Sequence, residues 1–230
     1  MAFRDIIGTT VQNTSLAPSS VSLNGNKFYR SIGKRSIDII LSLLALPLVF
    51  LILSVVWVVG QFSGGQVFFA QDRVGKNGRV FRCFKVRSMV INAEEVLQEL
   101  CASDPKIAEE WEQFQKLQND PRINRWGAFL RKTSIDELPQ FLNVLRGDMS
   151  LVGPRPFMVS QTEIYQAGGG RHYFSMQPGI TGNWQVEGRG DTSFLSRIAY
   201  DRLYSQNMSL SEDLRLLGRT AQVLLRMSGR

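Results

Sequence analysis

Ser36-Ile37-Asp38-Ile39-Ile40-Leu41-Ser42-Leu43-Leu44-Ala45-Leu46-Pro47-Leu48-Val49-Phe50-Leu51-Ile52-Leu53-Ser54-Val55-Val56-Trp57-Val58-Val59 is the stretch on which the fold turns. From residue 39 to residue 59 no side chain is charged, and a helix needs ~20 such residues to cross a hydrocarbon core. Pro47 lies near the middle, where it lacks a backbone donor and clashes with the preceding turn, so the helix is expected to bend or break there. Carbonyls freed at a bend need partners inside the protein, because lipid offers none. Ser42 and Ser54 are the hydroxyls nearby. Basic residues stand on both sides: Lys27, Arg30, Lys34 and Arg35 before the segment, and Arg73, Lys76, Arg79, Arg82, Lys85 and Arg87 after it. Positive flanks favour the cytoplasmic face of a bilayer. A segment that enters, turns at Pro47 and leaves by the same face satisfies both flanks; a kinked single span, with the rest of the chain outside, is the rival.

Outward toward the N-terminus, residues 1–31 are rich in Ser, Asn, Thr and Gly and hold no continuous apolar core like that of a secretory signal, so they read as a mobile cytosolic tail. This divides the chain into a tail (1–31), a re-entrant membrane helix broken near Pro47 (32–60) and a globular remainder (61–230). The 230 residues allow one domain with a sizeable core plus an appendage. A net charge of +7 and a pI near 9.7 favour anionic partners. Nucleic acid is not among those expected, since neither a reading helix nor an aromatic-basic platform is recognisable. Two cysteines, Cys83 and Cys101, and one histidine, His172, argue against a zinc site or a disulfide framework. His172 reads as an ordinary satisfied side chain.

Toward the C-terminus the pattern changes. Val67 to Val74, a Gly75-Lys76-Asn77-Gly78 turn and Arg79 to Arg87 alternate apolar with polar residues, the signature of a β-hairpin whose polar face carries Arg79, Lys85 and Arg87. Two amphipathic helices follow, one capped by Asn92 and one begun by Pro105. Residues 209–227 read as a third, packed or lying on a membrane. The fold class is therefore α/β, mostly α with a small β-hairpin or sheet, with amphipathic surface helices around a compact cytosolic domain.

Between these elements lies Ser134-Ile135-Asp136-Glu137-Leu138-Pro139-Gln140. Ser134 and Glu137 fit the S-x-x-E capping box, and acids are favoured in a first helical turn. Taken alone, that is the commoner meaning of such a pattern. The chemical reading makes Asp136 a nucleophile toward phosphorus and Glu137 the holder of a divalent cation. If Asp136 itself caps the next helix, Pro139 falls in the first turn and phosphate is drawn to the helix N-terminus. Downstream, Arg146-Gly147-Asp148-Met149-Ser150-Leu151-Val152-Gly153-Pro154-Arg155-Pro156 and Gln177-Pro178-Gly179-Ile180-Thr181-Gly182-Asn183-Trp184-Gln185-Val186-Glu187-Gly188-Arg189 hold rigid Pro and Gly around single arginines.

Together these residues resemble the bacterial sugar transferase family, small monotopic phosphoglycosyl transferases that load a sugar phosphate onto polyprenyl phosphate. The resemblance runs from Lys34 to about Leu217, through Lys34-Arg35-Ser36-Ile37-Asp38, Lys85-Val86-Arg87-Ser88-Met89, Leu130-Arg131-Lys132-Thr133 leading into the acidic pair, and the two Pro-Gly loops. It implies a re-entrant helix, Asp136 as nucleophile, Glu137 as Mg2+ ligand, and Lys85, Arg131, Arg155 and Arg189 on the phosphates or nucleotide. Arg87, within the same basic motif, joins the substrate-binding set. It further implies a UDP-sugar donor, with galactose or glucose as first choices, a polyprenyl (undecaprenyl) phosphate acceptor, UMP release through an aspartyl phosphosugar, and a role in exopolysaccharide assembly. The implied setting is membrane lipid at the cytoplasmic face of a bacterial inner membrane; a homo-oligomer is left open. Relatives commonly carry Ser-Pro at the helix break where this chain has Leu46-Pro47. The alternative is a membrane-tethered basic adaptor without catalytic activity.

Overall fold

The structure, a computed structural model, describes residues 28–61, 66–188 and 193–225. Of the tail expected over residues 1–31, residues 1–27 lie outside them, as does Arg189. A π-helical turn, Tyr29–Gly33, leads directly into helix α1, Lys34–Gln61, so helical structure begins slightly ahead of residue 32. One helical stretch, Tyr29–Gln61, is long and apolar enough to cross a membrane. The helix is not interrupted at Pro47, which sits inside it. Proline removes a single helical donor, and the turns on either side retain theirs.

Burial along α1 follows one stripe. Lys34, Asp38, Ser42, Val49, Val56 and Gly60 are buried, at spacings of four and seven that share a helix face. Leu44, Leu48, Phe50, Leu51, Val55, Trp57 and Val58 are each more than half exposed on other faces. Water does not tolerate an apolar surface of that extent, whereas lipid does. Near its start, Ile37 and Leu41 pack on the cluster of Val144, Met149, Leu151 and Leu216. Near its end, Val56, Ile52 and Leu53 join Val86, Leu130, Trp126 and Ile135. Both ends of the helix thus rest on the same folded remainder.

Polar side chains at the start of α1 fix this docking. The buried Asp38 carboxylate accepts from Ser150 Oγ (3.0 Å) and from the Leu151 amide (2.9 Å). Arg35 donates to the carbonyls of Val144 (2.5 Å) and Leu145 (2.9 Å), near the C-terminal end of a later helix where carbonyls lack helical partners. Lys34 pairs with Asp213 at 2.6 Å.

The expected hairpin is present: β1 (Phe68–Val74) pairs antiparallel with β2 (Val80–Val86), from Phe68 opposite Val86 to Val74 opposite Val80. Asn77 and Gly78 take positive φ of 58° and 77° at its tip, as an Asn-Gly pair readily does. Helices α2 (Ala93–Ser103) and α3 (Pro105–Phe114) bury no residue fully and lie on the outside. Asn92 precedes α2 without a side-chain cap bond, while Asp104 caps α3 through the Lys106 amide at 2.9 Å. Helices α4 (Arg125–Lys132) and α5 (Gln140–Arg146) bracket the acidic pair. Strand β3 (Ser150–Val152) runs parallel to β4 (Gly179–Thr181), and Gly153 beside them cannot carry a side chain: a Cβ there meets the Gln177 carbonyl at 2.4 Å. Helices α6 (Thr162–Ala167), α7 (Asn183–Glu187), α8 (Arg197–Asn207) and α9 (Leu210–Leu225) complete the mostly helical fold. The last packs inward through Leu216 and Asp213.

Behind the Pro154–Pro156 loop, Phe157 stacks on Tyr165 and Tyr173, with ring centroids 4.7 and 4.5 Å away. The Tyr165 hydroxyl donates a short bond to the buried Asp201. Burial raises Asp201 from 3.8 to about 6, against the pull of Arg197 and this bond. Between those pH values the folded chain holds a proton that the unfolded chain has released, so stability falls as pH rises through the window. We expect the stability of the wild type minus that of Asp201→Asn to drop by about 2 kcal/mol between pH 4 and pH 7. Denaturant unfolding at each pH measures it; a flat difference would contradict the assignment.

Candidate active site

Helix α4 stops at Lys132 because Ser134 adopts a left-handed conformation (φ 56°) that no helix can continue. A single 3-10 turn, Ile135–Glu137, follows, and Pro139 stands immediately before α5. This corrects two expectations. Ser134 makes no side-chain cap bond, so the capping box does not form, and Asp136 lies in the short turn rather than at the N-terminus of α5. Ile135 is the fixed point of this turn, packed with Val56 of α1, Val86 and Leu130. The neighbouring acids are thereby set on α1 through one residue.

Asp136 is 8% exposed. Glu137 Oε1 accepts from Arg155 Nη2 at 2.7 Å and lies 3.4 Å from Lys85 Nζ. The two carboxylates are driven apart electrostatically. Burial would raise Glu137, but Arg155 and Lys85 outweigh it and hold its pKa at about 2. Burial and the charge of Glu137 push Asp136 upward, with Lys85, Arg155 and Arg131 pulling the other way. Glu137 is thus a fixed anion, and Asp136 a confined carboxyl whose charge responds to nearby cations.

The bases come from three elements. Lys85 projects from β2, which is tied to α5 by Asn143: its Oδ1 accepts from the Phe84 amide (3.0 Å) and its Nδ2 donates to the Arg82 carbonyl (2.8 Å). Asn143 is fully buried and sets the distance between Lys85 and Glu137; nothing in the sequence marked it. Arg131, on α4, donates from Nε to Ser88 Oγ at 2.9 Å and loses proton affinity through burial, offset by the charge of Asp136. Arg155 follows the β3–β4 layer, and its carbonyl accepts from Arg197 Nη2 at 3.3 Å.

A small polar recess is lined by Arg73, Lys85, Glu137, Gln140, Arg155 and Pro156. Of the residues expected from sequence, Glu137, Lys85 and Arg155 meet there, with Asp136 and Arg131 alongside. Arg87 is not in its lining; half-buried just beyond β2, it has no ion-pair partner among the described residues. Arg73 and Gln140 are additions. The alternation of β1 brings Arg73 to this side, but in the sequence it counted only as flanking charge. His172 Nδ1 and Ser205 Oγ are hydrogen-bonded at 2.7 Å, and Cys83 and Cys101 are both free thiols. Among the described residues no cluster of three or more His, Cys, Asp or Glu is placed to hold a metal alone. Glu137 nevertheless keeps its second oxygen without a protein partner among the described residues.

The family model for bacterial sugar transferases matches residues 29–227. The undecaprenyl-phosphate galactose phosphotransferase of Salmonella typhimurium is 45% identical over 196 residues, 85% of this chain and 41% of that protein. The exopolysaccharide production protein ExoY of Sinorhizobium fredii is 45% identical over 194 residues, covering 82% of this chain and 84% of its own. The UDP-glucose:undecaprenyl-phosphate glucose-1-phosphate transferase of Klebsiella pneumoniae is 41% identical over 192 residues, 80% of this chain and 38% of its own. This chain spans less than half the length of the Salmonella and Klebsiella relatives and most of the length of ExoY. With the match covering nearly all the described residues and the acidic pair ringed by its bases, the chain belongs to the bacterial sugar transferase family.

Proposed function

We propose that this chain transfers a hexose 1-phosphate, galactose or glucose, from a UDP-sugar to polyprenyl phosphate at the cytoplasmic face of a bacterial inner membrane, as the first membrane step of exopolysaccharide assembly. The observation that carries this reading is a buried carboxyl, Asp136, beside a fixed carboxylate, Glu137, among Lys85, Arg131 and Arg155, on a turn anchored to an apolar helix. An Asp136 oxygen attacks the sugar-bearing phosphorus; the bond from that phosphorus to the bridging oxygen breaks, and UMP leaves. An oxygen of polyprenyl phosphate then attacks the same phosphorus, and the Asp136 carboxylate is released. Two separate displacements spare the enzyme from bringing both anionic substrates together at once. Lys85, Arg131 and Arg155 face the phosphoryl oxygens with preplaced charge.

Docking of both ends of α1 on one domain favours a helix that stays with one face of the bilayer over one that crosses it. The basic flanks favour the cytoplasmic side. The acceptor supplies the reason for such a helix. Withdrawing a prenyl chain from lipid costs ~0.8 kcal/mol per methylene, so the site must come to the headgroup.

Mg2+ fits the residues present: Glu137 is ionised with one oxygen open, and this ion binds through one or two carboxylates plus substrate phosphates. When bound it neutralises charge on the phosphoryl oxygens. Glu137→Gln should raise the Mg2+ concentration for half-maximal activity at least ~10-fold. An unchanged Mg2+ titration would remove Glu137 from that role. The reaction is tested with membranes containing the chain, undecaprenyl phosphate and a panel of UDP-sugars. UMP release from UDP-galactose or UDP-glucose is expected, and release from no UDP-sugar would leave only a basic membrane adaptor.

A further inference from the structure

Arg73 sits in the wall of the recess with Lys85, Glu137 and Arg155, yet among the described residues it is bonded only to uncharged oxygens: Nη1 lies 3.3 Å from the Pro156 carbonyl and Nη2 2.6 Å from Gln71 Oε1. Its Nε is buried and, among the described residues, has no partner. Lys34, Arg122 and Arg155 each meet a carboxylate at 2.6 or 2.7 Å, whereas among the described residues Arg73 has no acidic partner. Its charged neighbours include two further cations, Arg155 and Arg197, and burial lowers its pKa to about 10. A confined guanidinium without a counter-charge is unfavourable unless an anion joins it. The gap is also specific in shape: the recess in front of Arg73 is polar and opens beside Glu137. Gln71 and the Pro156 carbonyl hold the guanidinium plane in place, and a planar fork so fixed suits the paired oxygens of a phosphoryl group better than a mobile ammonium.

We propose that Arg73 is a phosphate-binding residue of this site, completing with Lys85 and Arg155 a three-cation cradle for the non-bridging oxygens of a substrate phosphoryl group. The assignment rests on the transferase reading above and names a contact beyond it. Either the diphosphate of the sugar nucleotide or the phosphate of the prenyl acceptor supplies those oxygens, and the two are separable by experiment.

The experiment compares full-length wild type with Arg73→Gln and Arg73→Lys, using UDP and a short-chain prenyl phosphate as probes in calorimetric titrations, with thermal melting alongside. Without probe, both variants should melt at or above the wild-type temperature, because an unpaired cation has been removed or moved. With probe, Arg73→Gln should bind one of the two at least ~10-fold more weakly, and Arg73→Lys should fall between it and wild type. Weakened UDP binding assigns Arg73 to the donor phosphates; weakened prenyl phosphate binding assigns it to the acceptor. Unchanged binding of both probes would overturn the assignment alone. So would both variants melting well below wild type with the probe shifts intact, since that is the mark of a purely structural arginine. Wild type that bound neither probe would sink the transferase reading together with this one.

Discussion

Asp136→Asn is expected to stop turnover, lowering the rate by at least ~10^4-fold, and to eliminate any sugar phosphate retained on the protein. The amide keeps the shape of the side chain and removes the anionic oxygen proposed above to attack phosphorus. Stability should not fall with activity. In the folded chain burial and Glu137 both disfavour the charged form of Asp136, so a neutral replacement relieves repulsion inside the turn. Ile135, which anchors the turn, is untouched. Two measurements separate the outcomes. Incubation with sugar-labelled UDP-galactose or UDP-glucose, without acceptor, should add one sugar phosphate to the wild-type mass and nothing to the variant. Denaturant unfolding should place the variant level with wild type or above it. A folded Asp136→Asn protein that turned over within tenfold of wild type would show that the acceptor attacks the donor directly, with the carboxylate only orienting it.

Much of this molecule was legible in the sequence where local pattern and physical cause coincide. The apolar run, the Asn-Gly hairpin, Pro105 at the head of α3 and the meeting of Arg155 with Glu137 each stand as read. Where the sequence misled, a distant contact had overridden a local preference. Ser134 and Glu137 spell a capping box, but Ile135 is held in the cluster around Val56 and Leu130, and the chain reaches it through a left-handed Ser134. Of the bend or break that Pro47 predicts, the break does not occur: only one donor is lost and α1 continues. The parallel pair β3 and β4 has three residues in each strand and no periodicity to detect, although it is what brings Arg155 toward Glu137. Asn143 and Arg73 were missed for a related reason. Their importance lies in what surrounds them, a strand edge for one and uncharged oxygens for the other.

Asp213→Asn is expected to destabilise the fold by about 3–5 kcal/mol, the largest loss of stability we anticipate from one side chain. Asp213 gathers three donors at the junction of α1 with α8 and α9: Lys34 Nζ at 2.6 Å, Tyr29 Oη at 2.6 Å and Tyr204 Oη at 2.7 Å. The Lys34 side chain is only 8% exposed, so neutralising its partner strands an ammonium away from water. The decisive measurement is a double-mutant cycle with Lys34→Met, by equilibrium unfolding in detergent. Removing the cation first should cut the cost of Asp213→Asn sharply, a coupling of about 2 kcal/mol or more. Additive losses would mean that the two tyrosines, not the ion pair, carry the junction. The effect should also reach catalysis. One turn beyond Lys34, Asp38 holds Ser150 and Leu151 of β3, and β3 leads directly into Gly153, Pro154 and Arg155. Loosening the start of α1 therefore slackens the strand that presents Arg155 to Glu137, so UMP release should fall even under conditions where the variant remains folded.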